Sequence, residues 1–206
     1  MKLLRHPHIV DFHACFVFGP SIYLVLGGCS YGSVSDVIST SYQCGLPEKA
    51  IASILRQLLS ALAYLHAQYI IHRSVRANHL LLDSTGSVRL TGFRLARKLT
   101  FDEQSTTDFD SHLEPSLLWL APEVLGQKQD LNGYSTRADI YSVGATICEM
   151  ANGFPPFGDM ERLEMLYEKS RGTTPRLLDS STLPTYEVSG REDVVTNKYD
   201  VPEWVF

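Results

Sequence analysis

The sequence predicts an α+β protein, mostly helical with a small β part. Three observations carry this. Ile51, Ile54, Leu55, Leu58, Leu59, Leu62 and Leu65 recur at helical spacing and give one broad apolar face. The stretch RADIYSVGATICEMA, from Arg137 to Ala151, is apolar nearly all round, as a buried helix is. Ile9 to Phe18 and the run SIYLVL are rich in β-branched and aromatic residues and flank Gly19-Pro20, the pattern of a hairpin.

Taken in order, the hairpin comes first, and Gly27, Gly28 and Gly32 then loosen the backbone into a hinge-like connector. A helix from about Pro47 to His66 follows, with Pro47 suited to its first turn. Two short strands, HLLLD and SVRLT, are joined by a turn at Ser84-Thr85-Gly86. Lys98 to Ser116 is polar and acidic without a period, so a long surface loop is expected. The buried helix from Arg137 comes next, then an amphipathic helix from Asp159 to Ser170 with Asp159 as its N-cap. After Leu178 the pattern weakens into a polar tail with some disorder.

Composition narrows the function classes. The 206 residues, 44% hydrophobic and 20% charged, suffice for one sizeable core. A net charge of -5 without a basic run argues against a nucleic-acid partner. Cys15, Cys29, Cys44 and Cys148 form no C-x-x-C pair, which speaks for reduced thiols in a cytoplasmic or nuclear protein and against a metal site. No apolar run is long enough for a bilayer, and the start MKLLRHPHIV breaks its apolar run too early for a signal peptide, so no membrane partner is expected.

The stretch IIHRSVRANHLLL, Ile70 to Leu82, raises the question of chemistry. The order apolar helix, His-Arg loop, short hairpin, long loop, Ala-Pro-Glu, buried helix resembles the large lobe of a eukaryotic protein kinase. The kinase pattern H-R-D-x-x-x-x-N falls on His72 to His79, D-F-G on Gly92-Phe93-Arg94 and A-P-E on Ala121-Pro122-Glu123, with DIYSVG from Asp139 opening the central helix. The implied architecture is the helical C-terminal lobe with a remnant of the N-terminal lobe sheet.

The resemblance also exposes what is missing. Kinases need a carboxylate to accept the substrate hydroxyl's proton, and Ser74 stands there. They hold magnesium with an Asn and an Asp, where this chain has His79 and Gly92. A hard cation gains nothing from Gly and little from imidazole. Asn78 is one residue early, and on a strand that shift turns a side chain to the other face. The resemblance gives His72, Arg73, Glu123 and Asp139 structural roles, Asp139 accepting hydrogen bonds from the backbone of the His-Arg loop. No obvious arginine with the right surroundings follows to pair with Glu123. Arg76 and Arg94 are either phosphate contacts that stand in for a missing cation or solvated surface arginines.

More narrowly, HRSVRANHLLL, GFR, WLAPEVL, ADIYSVGATICEMANG and PPFGDM…LLD are similar to the sterile-twenty-related adaptor pseudokinases, the STRAD group, over roughly Met1 to Leu183. That resemblance implies no catalysis. It implies binding and allosteric activation of a serine/threonine kinase of the liver kinase B type, together with an armadillo-repeat scaffold protein. The group's terminal Trp-Glu-Phe is matched here by Trp204-Val205-Phe206, which implies partner docking by Trp204 and Phe206. The expected division is 1–31 partial small-lobe strands and hinge, 32–183 degenerate large lobe, and 184–206 tail. The Gly-rich loop, the strand Lys and the helix Glu are not in the chain, which reads as a truncated or alternatively spliced form. No cofactor is expected, or ATP held without magnesium. The rival reading is a weak magnesium-independent protein serine/threonine kinase, and a third is an inert or dominant-negative fragment.

Overall fold

The computed structural model describes residues 3–100, 105–109, 111–126 and 133–178. It opens on an antiparallel hairpin of β1 (Phe12–Phe18) and β2 (Ser21–Leu26), with Phe16 opposite Tyr23 and Val17 opposite Ile22. Gly19 turns the chain with a positive φ of 59°. Phe16, Val17, Phe18, Ile22, Tyr23, Leu24 and Val25 all remain exposed, so the hairpin covers no core.

Two apolar clusters lie below it. The first is built on α2 (Glu48–His66), whose Ile51, Ile54, Leu58, Leu62 and Leu65 pack with α1 (Val34–Ser41), with β4 (Leu80–Leu82) and β5 (Val88–Leu90), and with Val143 and Met150 of α3 (Arg137–Asn152). The second gathers Ile71, Leu95, Leu99, Leu113, Leu117, Leu120, Tyr134, Phe157 and Met165, the last from α4 (Arg162–Ser170). Ile71 belongs to the second cluster and Val75 to the first. Residues 72–74 therefore cross the seam, where both cores fix the backbone.

Several sequence expectations need correction. Residues 34–41, for which sequence reading assigns no element, form a helix. Ser33 caps it, accepting from the Asp36 N–H at 3.1 Å while the Asp36 carboxylate accepts the Ser33 N–H at 2.8 Å. Pro47 stands just before α2, at the N-cap position. The last helix starts at Arg162, and Glu161, with extended φ/ψ, takes the flanking position assigned to Asp159. In α3, Ile140 is 50% exposed, so that helix is buried on most faces and not all round. The described residues of 98–116 are no simple surface loop. Arg97–Lys98 (β6) pairs with Ile70–Ile71 (β3), Thr106 bridges Tyr134, and Leu113 and Ser116 are buried. Asn78 sits on a single 3-10 turn, Ala77–His79, and not on a strand, so the strand-face argument does not apply to it. The tail, 184–206, lies outside the described residues.

Candidate functional site

Asp139 organises the site. It lies fully buried in the first turn of α3, where a carboxylate suits the helix dipole. Its Oδ1 accepts the Arg73 N–H at 2.9 Å, and its Oδ2 accepts the His72 N–H at 2.9 Å and meets His66 Nε2 at 2.8 Å. These bonds support a costly backbone, because Arg73 holds a left-handed φ of 63°. The turned Arg73 sends Nε to the Leu95 carbonyl at 2.5 Å and Nη1 to Tyr134 Oη at 2.9 Å.

His72 is buried between donor and acceptor. Nε2 meets the Thr91 carbonyl at 2.8 Å, and Nδ1 accepts the Ser74 N–H at 3.3 Å. Both contacts suit the neutral ring with its proton on Nε2. Burial, partly opposed by the Asp139 charge, pulls the ring's pKa down to about 4.

Ser74, expected at the base position, is itself buried. Its Oγ lies 2.9 Å from Ser116 Oγ and 3.1 Å from His79 Nδ1. The Ser74 carbonyl is closer to that nitrogen, at 2.7 Å, so Nδ1–H donates there. Nδ1 then has no lone pair for the Ser74 hydroxyl, and the pair is no nucleophile and base. Burial lowers the His79 pKa, against the pull of the Ser74 carbonyl. Among the described residues, none of Ser74's hydrogen-bond partners is a carboxylate.

His79 and Gly92 touch. A β-carbon on Gly92, which has a positive φ of 83°, would lie 2.5 Å from the His79 ring. Where the sequence predicts the two magnesium-holding positions of a kinase, an imidazole packs on bare backbone. These residues do not fit a magnesium ion.

The two arginines differ. Arg94 is exposed. Arg76 is half-buried, donates Nη1 to the Pro115 carbonyl at 2.9 Å and lies 5.6 Å from the Trp119 ring centroid. Glu123 forms no ion pair among the described residues. Trp204 and Phe206 lie outside them.

Sequence reasoning missed Ser116, Trp119, Glu149 and Lys169. Buried Glu149 accepts the Ala77 N–H at 3.0 Å and Trp119 Nε1–H at 2.8 Å, tying the loop and the segment before Ala121 to α3. Burial raises its pKa, and those two donors lower it. Lys169, fully buried on α4, donates to the carbonyls of Leu117, Leu118 and Leu120 at 2.7, 2.8 and 2.9 Å. Its only signal was a lysine on the apolar side of an amphipathic helix.

The protein kinase domain family matches residues 1–204. The chain belongs to that family. Within it the chain is similar to STE20-related kinase adapter proteins. One from Caenorhabditis elegans, strd-1, is 43% identical over 89% of this chain and 47% of its own length. The human alpha protein is 44% identical over 91% of this chain and 44% of its own, and the human beta protein 38% over 89% and 44%. The chain spans about half the length of the curated relatives it matches. The kinase-like α+β fold is thereby established, and the adapter names of the relatives support an adaptor role.

Proposed function

We propose that this chain is a catalytically inactive pseudokinase adaptor. It binds a partner serine/threonine kinase of the liver kinase B type and favours that partner's active conformation, together with an armadillo-repeat scaffold. The observation that carries the reading is Ser74, at the proposed base position, buried and bonded to Ser116 and His79 with no carboxylate among its partners in the described residues. A hydroxyl there cannot accept a substrate proton near neutral pH. The intact support around it, Asp139 beneath His72 and Arg73, keeps a kinase-shaped surface without the chemistry. Activation without catalysis requires tighter contacts to the partner's active state than to its inactive state.

Trp204 and Phe206 are the proposed scaffold anchors, and the proposed location is the cytoplasm and nucleus. Any ATP would be held without magnesium, with exposed Arg94 the freer cation and Arg76 reaching a phosphate only by leaving Pro115. The deciding experiment mixes the purified chain with partner kinase and scaffold and follows phosphorylation of the partner's substrate. Stimulation by wild type, and none above background from the chain alone, is expected. Magnesium-dependent transfer by the chain alone would favour the enzyme reading. No stimulation and no complex would leave the inert fragment.

A further inference from the structure

The hairpin of β1 and β2 is apolar on both faces. Phe16, Phe18, Tyr23 and Val25 lie on one face, with the Phe16 and Tyr23 rings stacked at 5.3 Å between centroids. Val17, Ile22 and Leu24 lie on the other, Val17 directly opposite Ile22. Strands dressed this way belong in a sheet covered on both sides. Here they form a two-stranded sheet with no further strand among the described residues, and these side chains are 41–74% exposed. A lone pair of strands is marginal in water and gains stability from further strands. The exposed surface of these residues is about 700 Å² per copy, more than the ~300–600 Å² largest apolar patch of a typical monomer and close to the ~800 Å² that each partner of a stable interface gives up.

The two free edges differ. The ladder is irregular on β1 between Phe12 and Ala14, and His13 stands there, features that blunt an edge. The run SIYLVL of β2 has no proline, glycine or charge, and its register is unbroken. No Asp, Glu, Lys or Arg stands between Asp11 and Asp36. The net charge of -5 works against contact between two copies, and this charge-free stretch is where they meet with least repulsion. The same stretch offers a charged partner nothing to pair with. We propose that the hairpin is a self-association surface, with the β2 edges of two copies pairing antiparallel about a twofold axis into one four-stranded sheet. Such a contact uses the same patch on both copies, so it closes at the dimer and leaves only the blunted β1 edges outside. It uses none of the residues on which the adaptor reading rests, and each is tested by itself.

The test is sedimentation equilibrium of the full chain, in reducing buffer so that exposed Cys15 forms no cross-link. Wild type is expected to pass from monomer to dimer with a dissociation constant on the order of 1–100 μM. The double variant Ile22→Lys and Leu24→Lys, at two exposed positions of β2, should weaken association by about tenfold or more. Val17→Lys puts the same charge on the same face but on β1, and should weaken it by less than about threefold. Added salt screens the net charge and should leave the dimer as tight or tighter. Hydrogen-exchange protection of the Leu46 amide, bonded to the Met150 carbonyl across the first core, shows which variants are folded, and the wild-type measurement decides by itself where a variant is not. A wild type that stays monomeric at all concentrations overturns the proposal, as does a mass that climbs past the dimer without a plateau. So does a dimer that salt weakens, or a folded double variant that dimerises like wild type. Equal weakening by Val17→Lys overturns it too, because the contact would then lie on the face and not at the β2 edge.

Discussion

The His79 imidazole fills the space in which a side chain on Gly92 would begin, with 2.5 Å between the ring and an ideal β-carbon. The two residues therefore form one packing arrangement. Gly92→Asp should destabilise by about 1–3 kcal/mol through overpacking, with a further cost from the positive φ. His79→Asn added to it should recover about half of that loss. Denaturant melts of the four members of the cycle measure the coupling. Purely additive effects would show that the contact does not link the positions.

His72 should make stability pH-dependent. Its folded pKa of about 4 lies below the ordinary 6.5. Between these values the unfolded chain binds the proton and the folded chain does not, so stability rises with pH across that window. It is lost as pH falls from 6.5 toward 4, by on the order of 3 kcal/mol at most. The difference between wild type and His72→Gln, taken from melts at several pH values, should shrink by that amount on acidification. A constant difference would mean the ring titrates normally.

Glu149 and Trp119 should be strongly coupled. Trp119→Phe removes one of two donors from a buried carboxylate and is expected to cost about 1–3 kcal/mol. In Glu149→Gln the charge is gone, and the same Trp119 substitution should cost about half as much or less. Urea titrations of the double-mutant cycle decide this, and an interaction energy near zero would mean that the Nε1 bond contributes nothing.

These sites show where sequence reading stops. Helices α2 and α3 were legible because apolar period and length speak locally. The reading of Ser74, His79 and Gly92 as lost base and metal residues rests on motif order alone, which supplies their register. Helix α1 escaped because it is only 8 residues long, with Val34, Val37 and Ile38 as its buried apolar residues, too short a run for a clear period. The site's polar links escaped for a different reason. Ser74 meets Ser116 across 42 positions and Trp119 meets Glu149 across 30, and no local pattern announces either contact.

Lys169 yields the last prediction. An ammonium has three N–H donors, and Lys169 places them on three carbonyls, with the Tyr141 and Phe157 rings 5.6 and 5.2 Å away. Among the described residues no carboxylate bonds to it, and burial pulls its pKa from 10.5 down to about 7. Tyr141 is pushed up to about 12 and stays neutral beside it. From pH 7 to 10.5 the unfolded chain binds the lysine proton more strongly than the folded chain, so this group makes stability rise with pH there. Below pH 7 both forms are protonated and the slope ends. Lys169→Met leaves three carbonyls without their donor and should lower stability by about 2–3 kcal/mol at pH 7. It should also remove this lysine's share of the alkaline rise. Melts of wild type and variant at pH 7 and pH 9 test both halves together. If the two proteins gain equally between those values, Lys169 does not titrate in the window, and the three carbonyls hold its proton against the full effect of burial.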